Sequence, residues 1–265
     1  MPNPSKDIVG TWSILYARFV RRAMLMRPSG QRTPGLEALV ERQAARWSLA
    51  GRVGHETAPV APQPCVAFSR LSWSDGDAVA AWVAAQLDYG LFDTAIVTEI
   101  ARQRGIDESL VDELDERVRG AIDRYVADAF RRHGLTEDEY FRQLIRIVTT
   151  IGQRGRAVLV GRGAAFILSP DHTLRVLVVA SASVRERRYA AARGLTPERA
   201  RAQLAEEDRQ RQDYLTLHFR LRQDDPCHYD LVVSTDHLST GEAGQVIVDV
   251  FRRRFPSAPV GHAVT

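Results

Sequence analysis

The hydrophobic residues of this chain fall into short continuous runs in its second part. Four of these runs are rich in β-branched and other apolar residues, which predicts strands at Val66–Phe68, Ala157–Val160, Leu174–Ala180 and Tyr229–Ser234. Tyr89–Phe92 is a further short segment of this kind. Strands that are apolar without alternation are typical of a parallel sheet that is covered on both faces.

Stretches with helical spacing separate these runs. Apolar residues that recur every three or four positions predict helices at Ala78–Leu87, Asp93–Arg104, Asp107–His133, Glu137–Arg154, Ser183–Arg193, Pro197–Arg222 and Gly241–Phe255. The alternation of strand and helix predicts an α/β fold. In such folds ligands bind at the carboxyl ends of the strands, which here are followed by Ser69–Asp77, Gly161–Ala165, Ser181–Arg188 and Thr235–His237.

Residues 1–64 have a different pattern and are interpreted as an N-terminal helical extension with a linker. Ile8, Trp12, Leu15 and Phe19 recur at helical spacing, and a Gly- and Pro-rich stretch at 51–64 reads as the linker. The first helix could pack on the main domain, or it could bind a partner or a membrane surface. Residues 256–265 are expected to form a flexible tail.

The segment Cys65–Leu87 has the order strand, small-residue loop and helix that phosphate-binding proteins use. Ser69, Ser74 and Gly76 are small, and a helix N-terminus directly behind such a loop favours anions. Asp75 and Asp77 oppose this interpretation, because each would repel a phosphate about 4 Å away by roughly 1 kcal/mol in water. The loop also has no lysine, and Lys6 is the sole lysine in the chain.

The same loop has a second interpretation that involves no ligand. Ser74-Asp75-Gly76-Asp77 matches the S-x-x-D capping box, in which Ser74 caps the helix and the Asp77 carboxylate reaches back over the same end. The protein's own carboxylate would then occupy the end of the helix. Phosphate binding, self-capping and a metal that bridges Asp75 or Asp77 to a nucleotide remain three alternatives for this loop.

Composition narrows the classes of function. The chain has 265 residues with a formal net charge of +3, and acidic residues interleave with the arginines, which argues against a nucleic-acid surface. Two cysteines without paired-ligand spacing argue against zinc and fit a reducing cytoplasm. No apolar run is long enough for a membrane span, and no secretory signal is recognised.

Arginines supply the remaining candidate chemistry. Gly161-Arg162-Gly163 follows a strand, where Arg162 either binds a phosphate or lies on a structural turn. The run Glu206-Glu207-Asp208-Arg209-Gln210-Arg211 is either a solvated helix face with i,i+4 pairs or a phosphate-binding segment. Asp236, after the last strand, is a turn residue or helps to hold a hydrated Mg²⁺.

With these residues in view, Val66–Phe255 resembles the cytidylate kinase-like family of P-loop nucleoside monophosphate kinases. The similarity is distributed over LDYGLFDTAIVTEIARQRGI, AVLVGRGAAFIL, LRVLVVASASVRERR, EEDRQR and YDLVVSTDHLS. The resemblance implies a P-loop NTPase three-layer sandwich with a parallel five-stranded sheet. It places the family domain at 65–255, with a helical monophosphate-binding region at 93–154 and an arginine-rich lid at 185–222.

The resemblance also implies roles for individual residues. It assigns phosphate contacts to Arg162 and Arg187 and lid arginines to Arg209 and Arg211. Asp93 and Gly161 lie in its acceptor-side motifs. It assigns the donor loop to Ser69, Arg70, Ser74, Asp75, Gly76 and Asp77. No metal-binding side chain is assigned.

The loop departs from the family's usual Ser-Arg-x-x-Gly-Ser-Gly-Gly form. Trp73 and Asp75 stand at glycine positions, and Asp77 replaces a residue that is often basic. Two functions follow as expectations. The first is a kinase that moves the ATP γ-phosphoryl group, with Mg²⁺, onto CMP or a related pyrimidine monophosphate. The alternative is a catalytically impaired pseudo-kinase that binds a nucleotide or a protein, with recruitment through residues 1–50 as a further variant.

Overall fold

The sheet has five parallel strands. The computed structural model describes residues 63–93, 97, 139–256 and 258. The strands are β1 (Cys65–Arg70), β2 (Gly90–Phe92), β3 (Ala157–Val160), β4 (Thr173–Val179) and β5 (Leu231–Ser234), in the spatial order β2-β3-β1-β4-β5. All neighbouring pairs are parallel, so the predicted α/β class and five-stranded sheet are confirmed.

Helices lie on both sides of the sheet in the described part of the chain. They are α1 (Gly76–Leu87), α2 (Glu139–Arg154), α3 (Ala164–Ile167), α4 (Ala182–Arg193), α5 (Pro197–Phe219) and α6 (Thr240–Arg254). Two short 3-10 helices, Pro170–His172 and Pro226–His228, precede β4 and β5.

Successive side chains of β1 point to opposite faces of the sheet, and each face is covered by its own layer of helices. Val66 and Phe68 face one cluster, which they share with residues of α1 and α6. Cys65 and Ala67 face the opposite cluster, which contains residues of α2, α3 and α5. Because both faces of β1 are buried, the strand is apolar throughout, as its sequence indicated.

The packing of α1 on α6 supports the loop between β1 and α1. Gly244 of α6 lies against the Trp82 ring of α1, and a Cβ atom built on Gly244 would come within 2.3 Å of that ring. This close approach holds α1, and with it the loop at its N-terminus, against the sheet.

Most predicted elements agree with the structure, and the differences are local. The short helix α3 was not predicted, and α5 ends at Phe219 because Arg220 has a left-handed backbone with φ 56°. The helices predicted at residues 1–50, 93–104 and 107–133 lie outside the described residues, apart from Asp93, which is not helical, and Val97, which is. None of the described helices combines the length and the apolar character that a membrane crossing requires.

Candidate functional site at the carboxyl edge of the sheet

Five connections meet at the carboxyl edge of the sheet. The loop Leu71–Asp75 follows β1, Asp93 follows β2, and Gly161-Arg162 follows β3. Two residues separate β4 from helix α4, and Thr235 directly follows β5. The sequence-predicted residues on these connections are therefore brought to one edge, as expected for parallel strands.

The loop after β1 has a glycine-like backbone without most of the glycines. Trp73 and Asp75 have left-handed conformations, with φ 63° and 58°. Such a conformation costs a non-glycine residue roughly 1–2 kcal/mol. Gly76 is required for another reason, since a Cβ atom there would lie 2.5 Å from the Cβ of Arg70.

The predicted capping box at Ser74–Asp77 is wrong. The N-cap of α1 is Asp75, and no side chain caps this end of the helix. The Ser74 hydroxyl lies 2.9 Å from the carbonyl oxygen of Leu71 and 3.1 Å from that of Val178, where it acts as a donor. The left-handed Asp75 is itself the N-cap, so the helix begins one residue later than the pattern predicted, and Ser74 bonds to β4 instead.

Asp77 does not cover the end of α1 either. Its Oδ1 accepts a hydrogen bond of 2.8 Å from Nε of Arg70, so its charge is paired within the loop. A capping box does form in this chain, but at α6, between Ser239 and Glu242. The N-terminus of α1 is thus not occupied by a side chain of the protein.

Arg211 contacts the end of β1 from helix α5. Its Nη1 donates a hydrogen bond of 2.7 Å to the carbonyl oxygen of Arg70, the last residue of β1. Burial, reinforced by the neighbouring Arg70 guanidinium, lowers the pKa of Arg211 to about 10, so the side chain is still a cation at neutral pH. No carboxylate of the described residues lies within ion-pair distance of it.

The other two predicted arginines are differently placed. Arg187 lies on the exposed side of α4 and makes no hydrogen bond or ion pair with the described residues. Arg209 is exposed and is held on its own helix by Glu206 and Asp213, with a shortest contact of 2.7 Å to each.

Two arginines that sequence analysis did not select contact the loop directly. Arg185 donates to the carbonyl oxygen of Ser72 at 3.3 Å and to Asp208 at 2.7 Å. Arg188 contacts Asp75 at 3.1 Å and also binds Thr235. Their three-residue spacing puts them on one face of α4, whereas Arg187 lies on another, and this spacing is the signal that could have identified them.

The turn after β3 is joined to β1. The N–H group of Gly161 donates to the carbonyl oxygen of Phe68 at 2.9 Å, and Arg162 has a left-handed backbone with φ 53°. The Arg162 guanidinium carbon lies 5.9 Å from the centroid of the Tyr214 ring on α5. Ser69 is buried at the end of β1.

The acidic side chains near the loop are each paired with an arginine, which decides how a metal would be held. Asp75 pairs with Arg188, Asp77 with Arg70, and Asp208 with Arg185. No cluster of three metal-binding side chains occurs among the described residues. Asp208 Oδ1 is buried without a hydrogen-bond partner in this part of the chain, so a single carboxylate oxygen is available to a hydrated Mg²⁺.

The comparison with protein families identifies this arrangement. The model of the cytidylate kinase-like family matches residues 65–237, which include β1, the loop, α4, α5 and β5. The chain belongs to the cytidylate kinase-like family.

Other relatives of this cytidylate kinase-like protein are distant. It is 27% identical over 195 residues to a bifunctional pantoate ligase/cytidylate kinase of Synechococcus sp. (strain JA-3-3Ab), and the match covers 68% of this chain. It spans about a third of that relative's length, since the match covers 35% of it.

Solved structures to which this family member is similar are also distant in sequence. An uncharacterized protein from Eubacterium ventriosum is 18% identical with a TM-score of 0.52, over 71% of this chain and 98% of that one. That likeness supports the fold alone. The shikimate kinase of Bacteroides thetaiotaomicron matches at 11% identity and a TM-score of 0.40, over 73% of this chain and 99% of that one.

Proposed function

We propose that this chain is a nucleoside monophosphate kinase in which arginines replace the missing loop lysine. It would transfer the γ-phosphoryl group of ATP to CMP or a related pyrimidine monophosphate. Family membership and the name of the Synechococcus relative, a cytidylate kinase in one of its two activities, support this acceptor class.

The placement of Arg211 is the observation that supports phosphoryl transfer most strongly. A guanidinium has five N–H donors, and the only hydrogen bond of Arg211 within the described residues uses one of them. A cation that is partly desolvated and lacks a paired carboxylate stabilises phosphate charge more than a solvated one does. The position of Arg211 beside the end of β1 suits a transferring phosphoryl group.

The remaining predicted residues have distinct proposed roles. Ser69, Arg70, Ser74, Asp75, Gly76 and Asp77 form the donor loop, with the uncapped N-terminus of α1 facing the ATP phosphates. Asp93, Gly161 and Arg162 are proposed to hold the acceptor. Arg187 and Arg209 would reach the phosphates from the lid, and Arg209 must first release Glu206 and Asp213.

The proposed reaction needs little covalent participation by the protein. An oxygen of the acceptor phosphate attacks the γ-phosphorus, the bond from that phosphorus to the β–γ bridging oxygen breaks, and ADP leaves with the electron pair. Mg²⁺ bound with the nucleotide would neutralise phosphate charge, and Asp208 is the side chain best placed to hold its hydration shell. The arginines position the phosphates and balance their charge.

A second function, nucleotide binding without transfer, is favoured by one specific observation. Asp75, at a glycine position of the donor loop, is bound by Arg188 at 3.1 Å. A carboxylate in this place competes with donor phosphates, so a pseudo-kinase would retain acceptor binding and lose turnover.

The test is ADP formation by the full chain with ATP, Mg²⁺ and CMP, with Arg211→Ala as the variant. We expect turnover in the wild type and a decrease of about a hundredfold in kcat/KM for the variant, the usual loss for removal of one transition-state contact. Arg253→Ala is the control, because Arg253 is exposed on α6 and lies outside the predicted lid. An equal loss of turnover in Arg211→Ala and in the control variant would contradict the proposal. Absence of turnover in the wild type would also contradict it.

A further inference from the structure

The two residues that replace glycines in the loop both contact helix α4. The Trp73 ring stacks on the Tyr189 ring, with centroids 4.7 Å apart and planes inclined by 30°. The guanidinium carbon of Arg193 lies 5.8 Å from the centroid of Trp73 and 5.9 Å from that of Tyr189. The bulk of Trp73 is thus accommodated between α4 and the loop.

Asp75 binds the same helix through Arg188. Nη2 of Arg188 lies 3.1 Å from Oδ2 of Asp75 and donates at 2.9 Å to the carbonyl oxygen of Thr235. Nη1 of Arg188 lies 3.1 Å from the Thr235 hydroxyl and 3.4 Å from the carbonyl oxygen of Trp73. Arg188 thus donates to three acceptors of Trp73 and Thr235, and it forms an ion pair with Asp75.

These contacts explain why both residues tolerate a left-handed backbone. Each departure from glycine is matched by a partner on α4, Tyr189 for Trp73 and Arg188 for Asp75. We call the Trp73–Tyr189 stack and the Asp75–Arg188 pair the loop latch.

We propose that the loop latch makes Asp75 an internal competitor of the donor phosphates for Arg188. The carboxylate holds the loop on α4 in the absence of a nucleotide, and ATP binds when a phosphate oxygen replaces Asp75 at the guanidinium. Asp75 then sets the affinity for the donor, as a positioning residue that acts through Arg188. This inference rests on the proposed function, because it assumes a donor nucleotide at this loop.

Asp77 provides a matched control for Asp75. Both are aspartates of one short loop, so neutralising either one removes the same charge. Asp77 pairs with Arg70 and not with α4, and its side chain is 67% exposed against 46% for Asp75. If simple charge repulsion weakens ATP binding, the two neutral variants behave alike, whereas the loop latch predicts that they differ.

The experiment is calorimetric titration of the full chain with ATP–Mg²⁺, using wild type, Asp75→Asn and Asp77→Asn. Asparagine keeps the shape of Asp75 and accepts a left-handed backbone, so the variant should fold. We expect Asp75→Asn to bind ATP about tenfold more tightly and Asp77→Asn less than about threefold more tightly, as partly exposed charge pairs allow. Asp75→Gly is a second variant and should reproduce the gain.

Each outcome bears separately on the loop latch and on the proposed kinase activity. Equal gains in the two asparagine variants, or no gain at Asp75, overturn the loop latch, and ADP formation by the wild type would then leave the kinase standing. A gain confined to position 75 supports the loop latch even where the wild type forms no ADP. Absence of ATP binding in every variant contradicts both.

Discussion

Asp230, at the amino edge of the sheet, joins three segments of the described chain. Its carboxylate accepts a bond of 2.8 Å from the Arg175 side chain and lies 2.7 Å from Nη1 of Arg254. The backbone N–H group of Arg175 also donates to it, at 2.8 Å. Burial acts to raise the pKa of Asp230, but the hydrogen bonds from Arg175 and Arg254 outweigh it and hold the pKa below its usual range.

The direction of this pKa shift predicts how stability depends on pH. A carboxyl group whose pKa is lowered by folding stabilises the protein above its unfolded pKa, and this contribution is lost as the pH falls. We expect Asp230→Asn to lower the free energy of unfolding by about 1 kcal/mol at pH 7. The difference from wild type should shrink below about pH 4, in the range where aspartate titrates.

Urea unfolding of both proteins at a series of pH values checks this prediction. A difference that is constant from pH 7 to pH 3 would contradict it, because the destabilisation would then not depend on the charge of Asp230.

Some properties of individual residues could not be predicted from the sequence. Ser74-x-x-Asp77 fits the capping-box pattern, but the left-handed Asp75 between them directs Ser74 toward β4. Backbone handedness at a non-glycine residue is not visible in the residue types. The choice among Arg185, Arg187 and Arg188 likewise depended on which face of α4 meets the loop, a tertiary property.

At the scale of elements, the C-terminal end of α5 packs tightly against the turn after β3. Gly163 has φ 73°, and a Cβ atom there would lie 2.1 Å from the ring of Phe219, the last residue of α5. Phe219 belongs to the core cluster between α2, α3 and the sheet. The helix that carries Arg211 is therefore anchored through this glycine.

Gly194, after α4, allows a controlled test of that anchor. Gly194 has φ 62°, and a Cβ atom built there would have no other atom within 4 Å. We therefore expect Gly194→Ala to lower the free energy of unfolding only by the cost of a left-handed alanine, about 1 kcal/mol. Gly163→Ala adds a collision with a buried ring, and we expect a loss of about 3 kcal/mol in total. Urea unfolding measures both, and equal losses would show that the Phe219 contact does not position α5.

The strands and long helices were predictable because their patterns are local. Ala157–Val160 was predicted at its observed bounds, and α2, α4 and α6 were predicted to within two residues at each end. Helix α3, of four residues, is too short to produce a period, and its start depends on the left-handed Gly163. The end of α5 was missed because Arg220 gives no signal of a left-handed cap.

At the scale of the whole molecule, the number of strands was predicted from the family resemblance and not from periodicity. Residue patterns indicated a parallel sheet, and the resemblance indicated five strands, both of which are confirmed. The domain bounds 1–64, 65–255 and 256–265 remain predictions, as do the cytoplasmic location and the role of the N-terminal extension. The family match over residues 65–237 lies within the predicted family domain.

The fold of the molecule brings phosphate-binding candidates, several of them arginines, to one edge of the sheet. The parallel sheet places five connections at one edge, where the loop after β1 lacks lysine and Arg211 contacts Arg70, the last residue of β1. In the proposed function, the loop latch would limit how readily ATP enters. The proposed kinase would then bind its donor weakly and depend on guanidinium groups for transfer.

Transfer of labelled phosphate tests this central claim most directly. The purified full chain is incubated with γ-labelled ATP, Mg²⁺ and unlabelled CMP, and the products are separated. The account predicts labelled CDP, formed in proportion to enzyme and strongly reduced by Arg211→Ala. Labelled inorganic phosphate alone, or no release of label at saturating ATP and CMP, would contradict it.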